Sequence, residues 1–315
     1  MHRISLLLVP LVLVFSACQQ RESETTTSGH VYVLVTESAA PALIEEINQF
    51  LNAYREQGAH ITYAVVPSEE AVRRFVNDTV RCIFSIRPLS AEERRHVAST
   101  SKFDLTEVLV AYDGVVVVVN QKNAINQITV DEVRDILMGR ITRWEQLSQR
   151  ATMRGRIEVL YQDSSDISWY LARRVLQDRE VRKDVSLVHS SVQTLNSVAD
   201  RRNSIGFVSV SWIDSVGAAV KVLKVGETAQ PADTTYEVPP EAVGSFFSPH
   251  PAYIHQRYYP LRGAIYFYAR APLESLASGF GIFVAGNEGQ RLFLAKKLVP
   301  GTRPIRLRVP GVPEN

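Results

Sequence analysis

Two short polar turns in this 315-residue sequence carry the residue types that hold small anions: Thr36-Glu37-Ser38-Ala39 and Ser164-Ser165-Asp166-Ile167-Ser168. Each lies between a β-branched run and a stretch with helical spacing, so each opens a helix. The first N–H groups of a helix have no partner within it and carry a partial positive charge. They are ready sites for an oxyanion, and each charge-assisted bond contributes about 1.5–3 kcal/mol. Arg87, two residues after Ser85, can supply a balancing cation. A plainer reading stands beside this one. Ser38 and Ser165 cap their helices, as serine often does, and Arg87 forms a structural ion pair. Tyr253, Tyr258 and Tyr259 line a cleft or simply pack, with packing the commoner role of such a cluster.

Other chemistries find less support. The seven histidines are scattered with no metal-ligand spacing, so neither a metal nor a cofactor is expected. There is no Gly-x-Ser-x-Gly elbow, Walker loop, His-Glu-x-x-His or suitably spaced carboxylate pair, and the chain does not read as an enzyme. Thirty-five basic against 33 acidic residues leave a formal charge of +2, which argues against nucleic acid as a partner. With 45% hydrophobic and 22% charged residues, and only two cysteines, collagen-like, coiled-coil, disordered and disulfide-framework classes are excluded. The length favours two domains.

The elements that must position the turns follow from periodicity. Residues 30–36, 60–66 and 80–86 read as strands, and Leu43, Ile44, Ile47, Phe50, Leu51 and Tyr54 form one helical stripe between the first two. Alternation of strand and helix implies a parallel α/β sheet. Ser90 with Glu93, and Thr129 with Glu132, spell capping boxes. Residues 105–112 read as a strand ended by a sharp turn at Asp113-Gly114. Residues 115–119 form a fully buried strand beyond it. Residues 157–161 are a short strand before the second polar turn. From 226 to 260 prolines accumulate and periodicity fades; a strand over 263–270 and two closing helices complete the pattern.

The N-terminus departs from this globular composition. An apolar run over residues 4–15 has the length of a signal-peptide core and is too short to span a bilayer. It ends in Phe15-Ser16-Ala17-Cys18, which resembles the lipobox of bacterial lipoproteins. That resemblance implies cleavage after residue 17, lipidation of Cys18 and attachment to a membrane of the bacterial cell envelope. Residues 18–29 contain almost nothing apolar and are expected to form a flexible tether. Cys82 then stands alone in an apolar run as a small core residue.

Six separated segments in a fixed order resemble the phosphate-type solute-binding proteins of ABC transporters, in their divergent lipoprotein branch. They are Thr36-Glu37-Ser38; Ser85-Ile86-Arg87-Pro88-Leu89; Ala111-Tyr112-Asp113-Gly114 leading to Asn120; Ile128-Thr129 through Gly139-Arg140-Ile141-Thr142-Arg143-Trp144; Ile205-Gly206-Phe207-Val208; and Tyr259-Pro260-Leu261 with Asn287-Glu288-Gly289-Gln290-Arg291. The resemblance implies a type II periplasmic-binding-protein fold of two α/β lobes, each a mostly parallel sheet flanked by helices. Lobe 1 is expected over 30–110 plus 263–315 and lobe 2 over 111–262. A small anionic or polar solute is expected in the cleft, held by Thr36, Glu37, Ser38, Ser85, Arg87, Ser164, Ser165 and Asp166. The expected partner is an ABC permease, and the expected state a monomer. The alternative is a structural or sensory lipoprotein that kept the fold but lost phosphate binding.

The sequence departs from the family pattern at the second turn. Phosphate binders of this type carry an arginine followed a few residues later by Ser-Gly-Thr. Here Gln162 replaces the arginine, and the tripeptide reads Ser165-Asp166-Ile167. A carboxylate about 4 Å from a bound phosphate repels it by roughly 1–4 kcal/mol per charge pair.

Overall fold

In strand β1 (Gly29–Thr36) the side chains alternate between two cores: Val31, Val33 and Val35 face one way and Leu34 the other. Burial on both faces is what a central strand of a three-layer sandwich requires. The computed structural model describes residues 24–148, 153–217 and 219–304; the expectations for the export signal and Cys18 lie outside them. Helix α1 (Ala40–Tyr54), β2 (Ala59–Val66), α2 (Ser68–Val76), β3 (Cys82–Ser85) and α3 (Ala91–Thr100) follow in turn. Ser90 caps α3 through the capping box with Glu93. The long β4 (Thr106–Asn120) leads to β5 (Gln127–Thr129) and α4 (Val130–Leu137), where Thr129 and Glu132 form the second box.

Next come β6 (Glu158–Gln162), α5 (Asp166–Leu171), β7 (Ser186–Val188), α6 (Ser191–Asp200) and β8 (Ser204–Ser209). β9 (Val220–Val222) and β10 (Lys224–Gly226) lead into the Pro-rich stretch, which holds short pieces: 3-10 turns at Thr234–Tyr236 and Pro240–Ala242, β11 (Phe246–Phe247) and α7 (Pro251–His255). β12 (Arg262–Ala269), α8 (Leu276–Ala285), α9 (Asn287–Ala295) and β13 (Val299–Pro300) complete the described elements.

The strands run β2-β1-β3-β12-β4-β8-β6-β7, and β4 belongs to both halves of the row. Its first part pairs antiparallel with β12 (Arg262 opposite Gly114, Ala269 opposite Thr106), while Val115–Val119 pair with β8. β1 runs parallel to β2 and β3, and β6 parallel to β7 and β8. The result is two mostly parallel half-sheets joined by β4. In the first, Leu43, Phe50, Phe280 and Phe293 pack on one face, and Val72, Phe75 and Val97 on the other. The second has its own core around Val117, Ile136, Trp144 and Tyr170.

Two local expectations need correction. Asp113-Gly114 is no turn: β4 runs unbroken through it. A Cβ on Gly114 would meet Ile254 Cδ1 at 3.0 Å and Tyr259 Cε1 at 3.3 Å, so the glycine serves close packing. The tether expected over 18–29 is seated over its described part, 24–29. The Leu276 N–H donates to the Glu24 carboxylate at 3.1 Å, capping α8, and the Thr26 carbonyl lies where a side chain on Gly279 would be. Orphan amides at a helix start are enough to recruit a polar segment. Cys82 is a free, buried thiol, as its apolar context predicts.

Glu46 offers a test of the first core. It is fully buried on α1, and neither carboxylate oxygen has a hydrogen-bond partner among the described residues. Burial, with Glu45 nearby, pushes its pKa up to about 9. A carboxyl whose folded pKa is raised contributes stability below its unfolded value, and that contribution is lost as pH climbs toward 9. Glu46→Met, similar in volume, is expected to flatten the decline between pH 5 and 9. It should gain roughly 2–5 kcal/mol at pH 9 in denaturant titrations. An unchanged pH profile would show that Glu46 reaches water.

Candidate functional site

The first polar turn leaves β1 at Thr36, makes one tight turn (Glu37–Ala39) and enters α1. Ser38 does not cap α1 through its side chain: the N-cap is Ala39, and Thr36, Ser38 and Ser68 are buried together. Ser68 begins α2 after β2, so two helix starts from parallel neighbouring strands converge on one spot. The Ile86 N–H donates to Ser68 Oγ at 3.0 Å, and Ser68 Oγ lies 2.8 Å from Thr36 Oγ1.

The occupant of that spot is Asp166, 1% exposed, from the second half of the molecule. Its Oδ1 accepts from the Ser68 N–H at 2.7 Å. Its Oδ2 accepts from the Ser38 N–H at 3.2 Å and from the Thr36 hydroxyl. Because the single hydroxyl proton of Thr36 goes to Asp166, Ser68 must donate its own to Thr36. An ordered relay thus runs from the Ile86 amide to the carboxylate.

A second carboxylate crosses in the opposite direction. Glu37 accepts from the Ser191 N–H at 3.0 Å and from Ser191 Oγ at 3.2 Å, at the start of α6. Trp212 Nε1 donates to the Glu37 carbonyl at 3.1 Å, and Ser211 Oγ to the Ser38 carbonyl at 3.2 Å. Burial pushes the Glu37 carboxyl above its ordinary pKa, more strongly than the Ser191 bonds lower it; the Asp166 charge also raises it. Asp113, at the middle of β4, is pushed up to about 7, mainly by burial, with Asp166 contributing again. Three carboxylates therefore share this region, and no Arg or Lys bonds to Asp166 among the described residues.

The remaining expected residues lie elsewhere or serve local structure. Arg87 donates to Glu69 at 2.8 Å, to both Glu93 oxygens at 2.9 and 2.5 Å, and to the Pro88 carbonyl at 3.1 Å. That is the structural ion pair, anchoring the start of α3. Ser85 Oγ donates to the Arg87 carbonyl at 2.8 Å and accepts from the Arg87 N–H at 3.0 Å. Ser164 is exposed with left-handed φ of 52°. Ser165 caps α5, accepting from the Ser168 N–H at 3.1 Å. Gln162, where the resemblance implies an arginine, is buried with Oε1 unpartnered among the described residues.

Sequence reasoning missed Ser68, Ser191, Ser211 and Trp212. Pro67-Ser68-Glu69-Glu70 follows a strand and opens a helix, the signal that singled out the other two turns, so Ser68 was findable. The other three residues have no such local mark.

Beside the Asp166 niche opens a cavity of about 890 Å³ between the two halves. Glu69, Ile86 and Arg87 wall it on one side, and Trp169, Tyr170 and Arg173 on the other. Arg262 on β12 stacks over the Tyr112 ring at 3.7 Å from its centroid, and burial lowers its pKa. Tyr259 also lines this space, donating its hydroxyl to the Val115 carbonyl at 2.8 Å. Tyr253 and Tyr258 pack with Phe247.

Comparison with known proteins agrees with this architecture. The PBP superfamily domain model matches residues 20–288. Protein SphX of Synechococcus elongatus is 27% identical over 179 residues, which cover 54% of this chain and 52% of SphX. The phosphate-binding protein PstS of Borreliella burgdorferi is 22% identical over 183 residues, 55% of this chain and 62% of PstS. The chain thus spans about half to three-fifths of the length of these curated relatives. A candidate phosphate ABC transporter substrate-binding protein from Clostridium perfringens, solved with bound phosphate, superposes with a TM-score of 0.68 at 19% identity, over 86% of this chain and 99% of that one. This likeness extends the match to the whole two-lobed fold. With most of its length matched by the family model, the chain belongs to the PBP superfamily.

Proposed function

We propose that this chain is an extracytoplasmic solute-binding protein that captures a phosphate-like oxyanion or another small polar solute between two lobes and delivers it to an ABC permease. Lobe 1 comprises 30–110 and 263–315, lobe 2 comprises 111–262, and Cys18 carries the lipid that holds the monomer at the cell envelope. Solute is bound and released without chemistry. The observation that carries this reading is the meeting of two helix starts of lobe 1 with the second-lobe turn at one buried polar point, beside a cavity walled by both lobes. Such a point, formed only when the lobes meet, is what hinge closure around a solute needs.

A thermal-shift panel of phosphate, sulfate, molybdate, small carboxylates, amino acids and sugars tests it. A captured solute at 100 times its Kd is expected to add about 2.7 kcal/mol. No stabilisation by any of them would overturn capture and leave the structural or sensory lipoprotein, for which the carboxylate already in the niche is the supporting observation.

A further inference from the structure

We infer that Asp166 is a resident ligand: its carboxylate takes the place of a free oxyanion in the Thr36–Ser38–Ser68 niche, latches the lobes together and excludes inorganic phosphate from that niche. The inference rests on the solute-capture reading for the meaning of the cleft, and it specifies which solute the niche at its edge rejects.

Four observations converge. Each Asp166 oxygen is bonded, one by Ser68 and the other by Thr36 and Ser38, so the niche's donors are already committed. The bonds span 98 to 130 residues of sequence and join different half-sheets, so they clamp as well as fill. Glu37 makes the mirror-image contact, carrying a carboxylate from the first half to the start of α6 in the second. Finally, the carboxylates that feel the Asp166 charge are Glu37 on the niche turn and Asp113 on β4, the Arg87 guanidinium is engaged by Glu69 and Glu93, and Arg173 and Arg262 line the adjoining cavity without bonding to Asp166. An incoming dianion would have to displace a tethered carboxylate whose effective concentration is far above that of any free solute. It would then sit against that carboxylate's charge.

Inorganic phosphate binding, measured by calorimetry on wild type and Asp166→Ala, tests the inference. No saturable binding is expected for wild type. Asp166→Ala, with its donors vacated, should bind at least about tenfold more tightly than wild type. Equal affinity in the two proteins would overturn the resident ligand while leaving capture standing. A folded Asp166→Ala that binds no better would also overturn it, because the niche would then be no anion site. The capture reading fails separately, if no solute of the panel stabilises wild type.

Wild type supplies a second measurement that needs no variant at residue 166. Spin labels on the exposed faces of α3 and α6 should give one short interlobe distance without solute, unchanged by phosphate. A broad or long distribution that shortens with phosphate would overturn the latch.

Discussion

Arg174→Ala is expected to destabilise the protein by about 3–5 kcal/mol at pH 7 in denaturant titrations. Arg174 lies just beyond α5 and is 2% exposed; its guanidinium donates to the Glu227 carboxylate, itself 5% exposed, and to the Pro260 carbonyl at 3.1 Å. It also lies 5.2 Å from the centroid of the Tyr236 ring. One side chain therefore ties both ends of the Pro-rich segment to the second core. Truncating it strands a buried carboxylate, and that desolvation, more than the lost attraction, sets the size of the effect. Burial already raises the Glu227 pKa despite Arg174. Without the arginine that pKa rises further, so the deficit should shrink as pH falls and Glu227 becomes neutral. The double variant Arg174→Met with Glu227→Leu is expected to recover most of the loss. A deficit below about 1 kcal/mol for Arg174→Ala would mean that water reaches Glu227.

Asp166→Asn is the second large effect, expected at about 1–3 kcal/mol. The change keeps the shape and removes the charge, but it converts one acceptor into a donor. If the amide nitrogen takes the Oδ1 position it faces the Ser68 N–H; in the Oδ2 position it faces the Ser38 N–H. Thr36 can rotate and accept, whereas a backbone amide cannot, so one amide loses its partner in either orientation. Relief of repulsion from Glu37 and Asp113 works against this loss, and its signature is separable. In wild type, Asp113 stability is present below its ordinary value of 3.8 and is lost as pH rises through about 7. In Asp166→Asn the Asp113 titration, followed by carboxyl carbon resonances, should move down. An unmoved Asp113 would show that the two carboxylates do not sense each other.

Much of the scaffold was legible because its determinants are local. Strand β1 and the stripe of α1 follow from side-chain period, and both capping boxes need only residues three apart. The first polar turn was recognised from its place between strand and helix. The same local logic failed at Gly114, where an apparent turn signal reports crowding by Ile254 and Tyr259, residues more than a hundred positions away. It failed again at residues 24–29, whose polar composition suits a tether as well as a cap on α8.

By itself, the sequence determined the α/β class, through its family resemblance the two lobes, and from its residues the two polar turns and the oddity of a carboxylate at the second of them. It could not decide whether Asp166 repels a ligand or replaces one. Tertiary structure alone placed the Asp166 carboxylate among the donors of the first half, and it alone fixed the engagement of Arg87 by Glu69 and Glu93 and the return contact of Glu37 to Ser191. The physical reason is that a carboxylate's role depends on which donors surround it. Those donors, Thr36, Ser38 and Ser68, are brought to Asp166 only by the packing of one half-sheet against the other.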